Sequence, residues 1–227
     1  VNIEAVIFDW GGTLTPWHTI DTLECWLTVA GDEQTAAALH AAENAVWVAA
    51  RDDHRSATID HVLERAAAVL TDEQRRSYYA WWDAHTYTDP TARATLLALR
   101  ERGLRIGILS NTLWPQVEHD RIFARDGIED LIDAAVYSSE IAWTKPDPRA
   151  FEAAMHAVGV RDPARAVFVG DRLFDDVFGA QRAGMKAVHV PHSAIPPWQQ
   201  TGVEGTPDAV IEALPDLIAV IDGWQTS

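Results

Sequence analysis

The stretch Ile3-Glu4-Ala5-Val6-Ile7-Phe8-Asp9-Trp10-Gly11-Gly12-Thr13 decides how the rest of the chain is read. Its first half is almost continuously apolar, and a carboxylate followed by an indole and two glycines ends it abruptly. A short apolar run bounded by turn residues marks a strand buried on both faces, hence a parallel sheet covered by helices. Similar runs recur at 105–109, 166–169 and 186–190, with Ala134–Tyr137 a weaker fifth. Segments 91–102, 149–158 and 173–183 between them carry helical periodicity. Gly103, Gly159 and Gly184 follow these helices where a left-handed C-cap is expected. The alternation predicts an α/β fold with a doubly wound, Rossmann-like parallel sheet.

From about residue 15 to residue 89 the pattern changes. Only helical periodicity is left, rich in Ala and Trp, across about four helices. Thr71-Asp72-Glu73-Gln74 has the form of a capping box. Asp89-Pro90 reads as an N-cap followed by proline at the first helical position, where the sheet-forming part resumes. The expected organisation is a core of residues 1–15 and 90–227, with an all-helical domain of residues 16–89 inserted after the first strand. Residues 192–205, with two prolines and two glycines, are expected to form a surface loop.

Bulk properties narrow the function. The chain has 227 residues and a formal charge of −16, which repels nucleic acid and anionic membrane alike. No apolar run approaches the roughly 18 residues a membrane span needs, and no secretory signal is expected from the opening residues. The single cysteine, Cys25, fits a reducing compartment, so a cytoplasmic protein is expected, as monomer or homodimer. Two lysines occur, Lys145 and Lys186, so a lysine in a motif is noteworthy here.

In an open α/β sheet, ligands bind beyond the carboxyl ends of the strands. Strand one ends in Asp9, the next in Ser110-Asn111, and another in Gly170-Asp171 with Asp175-Asp176 close behind. Lys145 follows the weaker strand. A carboxylate nucleophile, a hydroxyl, an ammonium and further carboxylates therefore converge on one crevice. Carboxylates from separate strands repel one another unless a cation lies between them, and Mg²⁺ suits a few oxygen ligands plus water. Ser110 and Lys145 suit the oxygens of a phosphoryl group.

These residues resemble the four motifs of the haloacid dehalogenase superfamily, in its order and spacing. Asp9-Trp10-Gly11-Gly12-Thr13 is similar to the first, Ser110-Asn111 to the second, Lys145-Pro146-Asp147-Pro148 to the third, and Gly170-Asp171 through Asp176 to the fourth. The early insertion resembles the family's type-one helical cap. The resemblance implies that Asp9 attacks a small phosphate ester and forms an aspartyl-phosphate. It implies Mg²⁺ held by Asp9, the Gly11 carbonyl, Asp171 and Asp176, with Asp175 close by. It further implies Thr13, Ser110, Asn111 and Lys145 as substrate-binding groups, with Asp9, Ser110 and Lys145 in the chemistry.

One position departs from the family pattern. Its phosphatases carry a second aspartate two residues after the nucleophile, as general acid and base, where this chain has Gly11. Such catalysis is typically worth about 10²–10⁴-fold. Among family branches lacking that aspartate, 2-haloacid dehalogenases use no metal and lack the Gly-Asp pair present here as Gly170-Asp171. Phosphonoacetaldehyde hydrolases need a cap lysine, and residues 16–89 contain none. P-type ATPases span membranes. A replacement acid is available at His18, His54 or His61, with His18 nearest the first motif; the plainer reading makes these surface or capping histidines. The alternatives are a catalytically weak binding protein of the same fold and a dehalogenase-like hydrolase.

Overall fold

The computed structural model describes residues 2–15, 20–191 and 205–226. Six strands form one parallel sheet: β1 (Ala5–Phe8), β2 (Arg105–Ser110), β3 (Ala134–Tyr137), β4 (Ala166–Gly170), β5 (Lys186–His189) and β6 (Ala209–Val210). Their order, β3-β2-β1-β4-β5-β6, reverses direction at β1, which makes the carboxyl end of β1 a switch point. Strand β6, only two residues long, was not anticipated; a pair of residues is too short to show a pattern.

Alternate residues of the central strands face opposite layers, as a two-residue period requires. Val6, Phe8, Val167 and Val169 join one apolar cluster, together with residues of α5 (Ala92–Glu101), α6 (Gln116–Arg125) and α9 (Leu217–Gln225). Ala5, Ile7, Ala166 and Phe168 join the other, under α7 (Pro148–Ala157) and α8 (Gly179–Arg182). Gly103, Gly159 and Gly184 adopt φ of 77°, 72° and 84°, the expected left-handed caps.

Between β1 and α5 the described residues form α1 (Thr22–Ala30), α2 (Glu33–Asp53), α3 (Ile59–Ala66) and α4 (Asp72–Trp82). Thr71 and Gln74 make the reciprocal capping-box bonds that open α4. Asp89-Pro90 behaves differently from the expectation. Helix α5 starts at Ala92 with Thr91 as its N-cap, and the Asp89 carboxylate accepts the Thr91 N–H and hydroxyl. Asp89 thus turns the chain two residues ahead of the capping position. Among the described residues no helix is long and apolar enough to cross a membrane.

The segment 173–183, read as one α-helix, is two elements. Leu173–Phe178 is a π-turn, in which Asp176 and Val177 both donate to the Arg172 carbonyl at 3.1 Å, and α8 follows it. Wide turns of this type occur mostly at functional positions. Here the extra width swings Asp176 back over the end of β4.

Candidate active site

Register brings the chemistry together. Phe8 pairs with Ile108 on one side and Val169 on the other, so Asp9, Ser110 and Asp171 leave the sheet within two residues of one row. The Asp9 N–H donates to the Val169 carbonyl at 2.9 Å, which fixes where its side chain begins. The next residues fold into a tight loop in which Gly12 N–H donates to Thr15 O and Thr15 N–H donates to Trp10 O. These bonds flank Gly11 without using its carbonyl. Gly12, with φ 90°, is the left-handed residue of this loop, and Gly11 is not among the positive-φ glycines.

Asp9, Asp171 and Asp176 are all buried, and one ligand oxygen from each lies within 4.8 Å of the others. Lys145 is buried among them, its Nζ 2.6 Å from Asp9 Oδ1 and 2.7 Å from Asp176 Oδ1. Burial raises the Asp9 carboxyl above its ordinary value, Lys145 opposes that rise, and the charges of Asp176 and Asp171 add to it. Burial alone would lower the Lys145 ammonium, but Asp176 and Asp9 outweigh it, so Lys145 stays firmly charged. Three carboxylates against one ammonium leave two negative charges in a buried site when all are ionised. That excess, on hard oxygen donors only, fits a divalent cation.

The loop that carries Lys145 is anchored by Asn111. Asn111 Nδ2 donates to the Lys145 carbonyl at 3.0 Å, and the Lys145 N–H donates to Asn111 Oδ1 at 2.8 Å. Asn111, expected to touch substrate, has both ends of its amide engaged with backbone, an engagement that nothing in the local sequence signals. Asp176 is anchored in turn, its Oδ2 accepting from Arg172 N–H at 2.9 Å. Gly170 permits this: a Cβ there would come under 3.0 Å from the Asp176 side chain. Asp175, beside it, is pushed up to about 6, by burial first and by Asp176 next.

Two hydroxyls stand at the same strand ends. Ser110 closes β2 and is buried. Thr13 is fully buried, and its Oγ1 has no hydrogen-bond partner among the described residues. A buried hydroxyl left unsatisfied is rare and suits an oxygen-rich ligand. Of the three candidate histidines, His61 caps α3, its Nδ1 accepting from Thr58 N–H at 3.0 Å. His18 lies outside the described residues, as does most of the loop expected at 192–205. His54 is half-buried against the core rather than spread on a solvated helix face.

A family model described as haloacid dehalogenase-like hydrolase matches residues 3–184. The glyceraldehyde 3-phosphate phosphatase of Methanopyrus kandleri is 34% identical over 156 residues, covering 69% of this chain and 63% of that protein. The chain therefore spans less than two thirds of that relative's length. A HAD phosphatase from Thermococcus onnurineus shares the fold with a TM-score of 0.70 at 22% identity, covering 97% of this chain and 99% of its own. An L-2-haloacid dehalogenase from Xanthobacter autotrophicus does so with a TM-score of 0.68, also at 22% identity and with the same coverage. One fold thus serves both phosphorus and carbon chemistry, so the site has to choose between them. From strand order, site and family match together, the chain belongs to the haloacid dehalogenase-like hydrolases.

Proposed function

We propose that this protein is a Mg²⁺-dependent phosphomonoesterase that works through an aspartyl-phosphate at Asp9, with residues 16–89 as a cap over the crevice. The observation that carries the reading is the buried cluster of Asp9, Asp171 and Asp176 around Lys145, whose excess negative charge fits a divalent cation. Attack on carbon with a halide leaving group needs no cation, and two further carboxylates beside the nucleophile would then only raise its pKa.

The roles follow from position. Asp9 offers one oxygen to phosphorus, while Lys145 holds that carboxylate and balances charge on the transferring group. Asp171, Asp176, the second Asp9 oxygen and the Gly11 carbonyl are the groups that would hold the metal. Bound there, Mg²⁺ supplies neutralisation of the substrate's phosphate charge. Thr13 and Ser110 donate to phosphoryl oxygens, and Asn111 keeps Lys145 in place. The substrate is a small phosphorylated metabolite, the single cysteine suits a cytoplasmic enzyme, and the negative charge of the chain argues against nucleic-acid partners.

A second reading, a binding protein with little turnover, draws on Gly11, which cannot shuttle a proton. Phosphate release from a panel of esters, including glyceraldehyde 3-phosphate and 4-nitrophenyl phosphate, separates the two. Turnover that needs Mg²⁺, stops in chelator and is absent from Asp9→Asn supports the enzyme. Tight phosphate-ester binding without phosphate release supports the binding protein, and chelator-resistant activity on a 2-haloacid would reinstate the dehalogenase.

A further inference from the structure

His54 ends α2 in a left-handed conformation, φ 51° and ψ 42°. A non-glycine residue there is uncommon, with Asn, Asp and His tolerating it best. Backbone contacts on both sides hold it. The Thr144 N–H donates to the His54 carbonyl at 3.2 Å and the Ser56 N–H to the Ala142 carbonyl at 3.2 Å, while Arg55 bridges Trp143. Residues 142–144 run directly into Lys145, so the insertion is fastened to the loop that carries the buried ammonium.

The imidazole lies near the turn that follows β4. Its centroid is 6.5 Å from that of Phe174, the residue before Asp175 and Asp176. Its Nδ1 is shielded from solvent and has no hydrogen-bond partner among the described residues. The Thr144 hydroxyl, on the residue whose N–H bonds to His54, is buried and equally without one. Two unsatisfied polar atoms on backbone-paired residues call for a ligand or water between the insertion and the core. The charged groups on the packed elements are Asp147 with its partner Arg149, Asp175 beside Phe174, and Asp53 and Arg55 on the same segment.

We propose that His54 handles the proton that Gly11 cannot, an inference that rests on the phosphatase reading above. As an Asp9 oxygen bonds to phosphorus, the ester P–O bond breaks and its electron pair passes to the leaving oxygen. That oxygen takes a proton from the His54 imidazolium. In the second step the neutral imidazole takes a proton from water as the water oxygen bonds to phosphorus. The Asp9–phosphorus bond then breaks and its pair returns to the carboxylate. Ester and water give alcohol and inorganic phosphate, and His54 regains its proton.

The test uses His54→Asn, because asparagine tolerates the left-handed angles but cannot exchange a proton as an imidazole does. Glyceraldehyde 3-phosphate has an alkoxide leaving group that needs a proton, whereas 4-nitrophenolate departs without one. With Mg²⁺ present, turnover of the alkyl ester should fall about 10²–10⁴-fold. The aryl ester should still give a rapid burst of one nitrophenolate per enzyme, followed by slow dephosphorylation of Asp9. Adding Gly11→Asp to this variant should restore alkyl turnover. Unchanged kinetics, or equal loss of the burst and of alkyl turnover in a folded protein, overturns the assignment. His54→Gly, which the backbone also accepts, repeats the measurement should the asparagine chain not fold. A wild-type protein that releases phosphate from neither ester defeats the phosphatase reading itself, before His54 is tested.

Discussion

The side chain of Asn111 and the backbone of Lys145 bond to each other in both directions, at 3.0 and 2.8 Å, across 34 residues of sequence. A two-point attachment of this kind sets the height and angle from which the lysine enters the crevice. Its ammonium then meets two carboxylates at 2.6 and 2.7 Å with little room for error.

Asn111→Ala should therefore lower turnover more than it lowers stability. Misplacing a reacting group by about 1 Å can cost about a hundredfold in rate, and the two lost bonds about 1–3 kcal/mol in folding. Steady-state kinetics beside thermal melting reads both. A lowered Tm with wild-type turnover would make the pair a purely structural one.

Asp9→Asn should abolish turnover while leaving far-UV circular dichroism and oligomeric behaviour as in the wild type. The amide is nearly isosteric and can still accept from Lys145, but it cannot attack phosphorus. Mass spectrometry of protein quenched during turnover should show a phosphoryl adduct on the wild type and none on the variant. Turnover retained by the variant removes Asp9 from the chemistry.

Gly170→Ala should act on the metal requirement. The added methyl group would intrude on the Asp176 side chain, which must then leave its position beside Lys145 and Arg172. Disturbing metal ligation in this manner typically weakens affinity about 10–100-fold. The Mg²⁺ concentration for half-maximal activity should rise accordingly. An unchanged Mg²⁺ titration would mean that Asp176 is not part of the metal's surroundings.

His119 offers a prediction about acid. It is fully buried, stacked on Tyr137 at 4.2 Å and edge-on to Trp10 at 4.6 Å. Burial pushes its pKa down from 6.5 to about 3. Between those values the unfolded chain holds a proton that the folded chain refuses, so stability falls as pH drops through this window. The His119 contribution is at most about 1.4 kcal/mol per pH unit. His119→Phe keeps a ring in the stack and removes the proton, so its stability should decline less between pH 6.5 and about 3. Denaturant melts of both proteins across that range check it, and parallel declines would place the acid sensitivity elsewhere.

What the sequence by itself determined was the frame. Five of the six strands, the three left-handed glycine caps and the Thr71 capping box follow from local rules of burial and backbone geometry. The same rules set Asp9, Ser110, Lys145 and Asp171 at strand ends or in the loops after them, so the composition of the crevice was legible. The spatial relations within it were not. The π-turn that returns Asp176 to Lys145, the Asn111 clamp and the seat of His54 against 142–144 each join residues distant along the chain or depend on neighbours that local propensity does not encode. Asn111 reads in sequence as a substrate ligand, and His54 as either an available acid or a plain surface or capping histidine. Only the packing of the insertion on the sheet, and the pairing of buried polar groups that cannot be left unsatisfied, decided what each one touches.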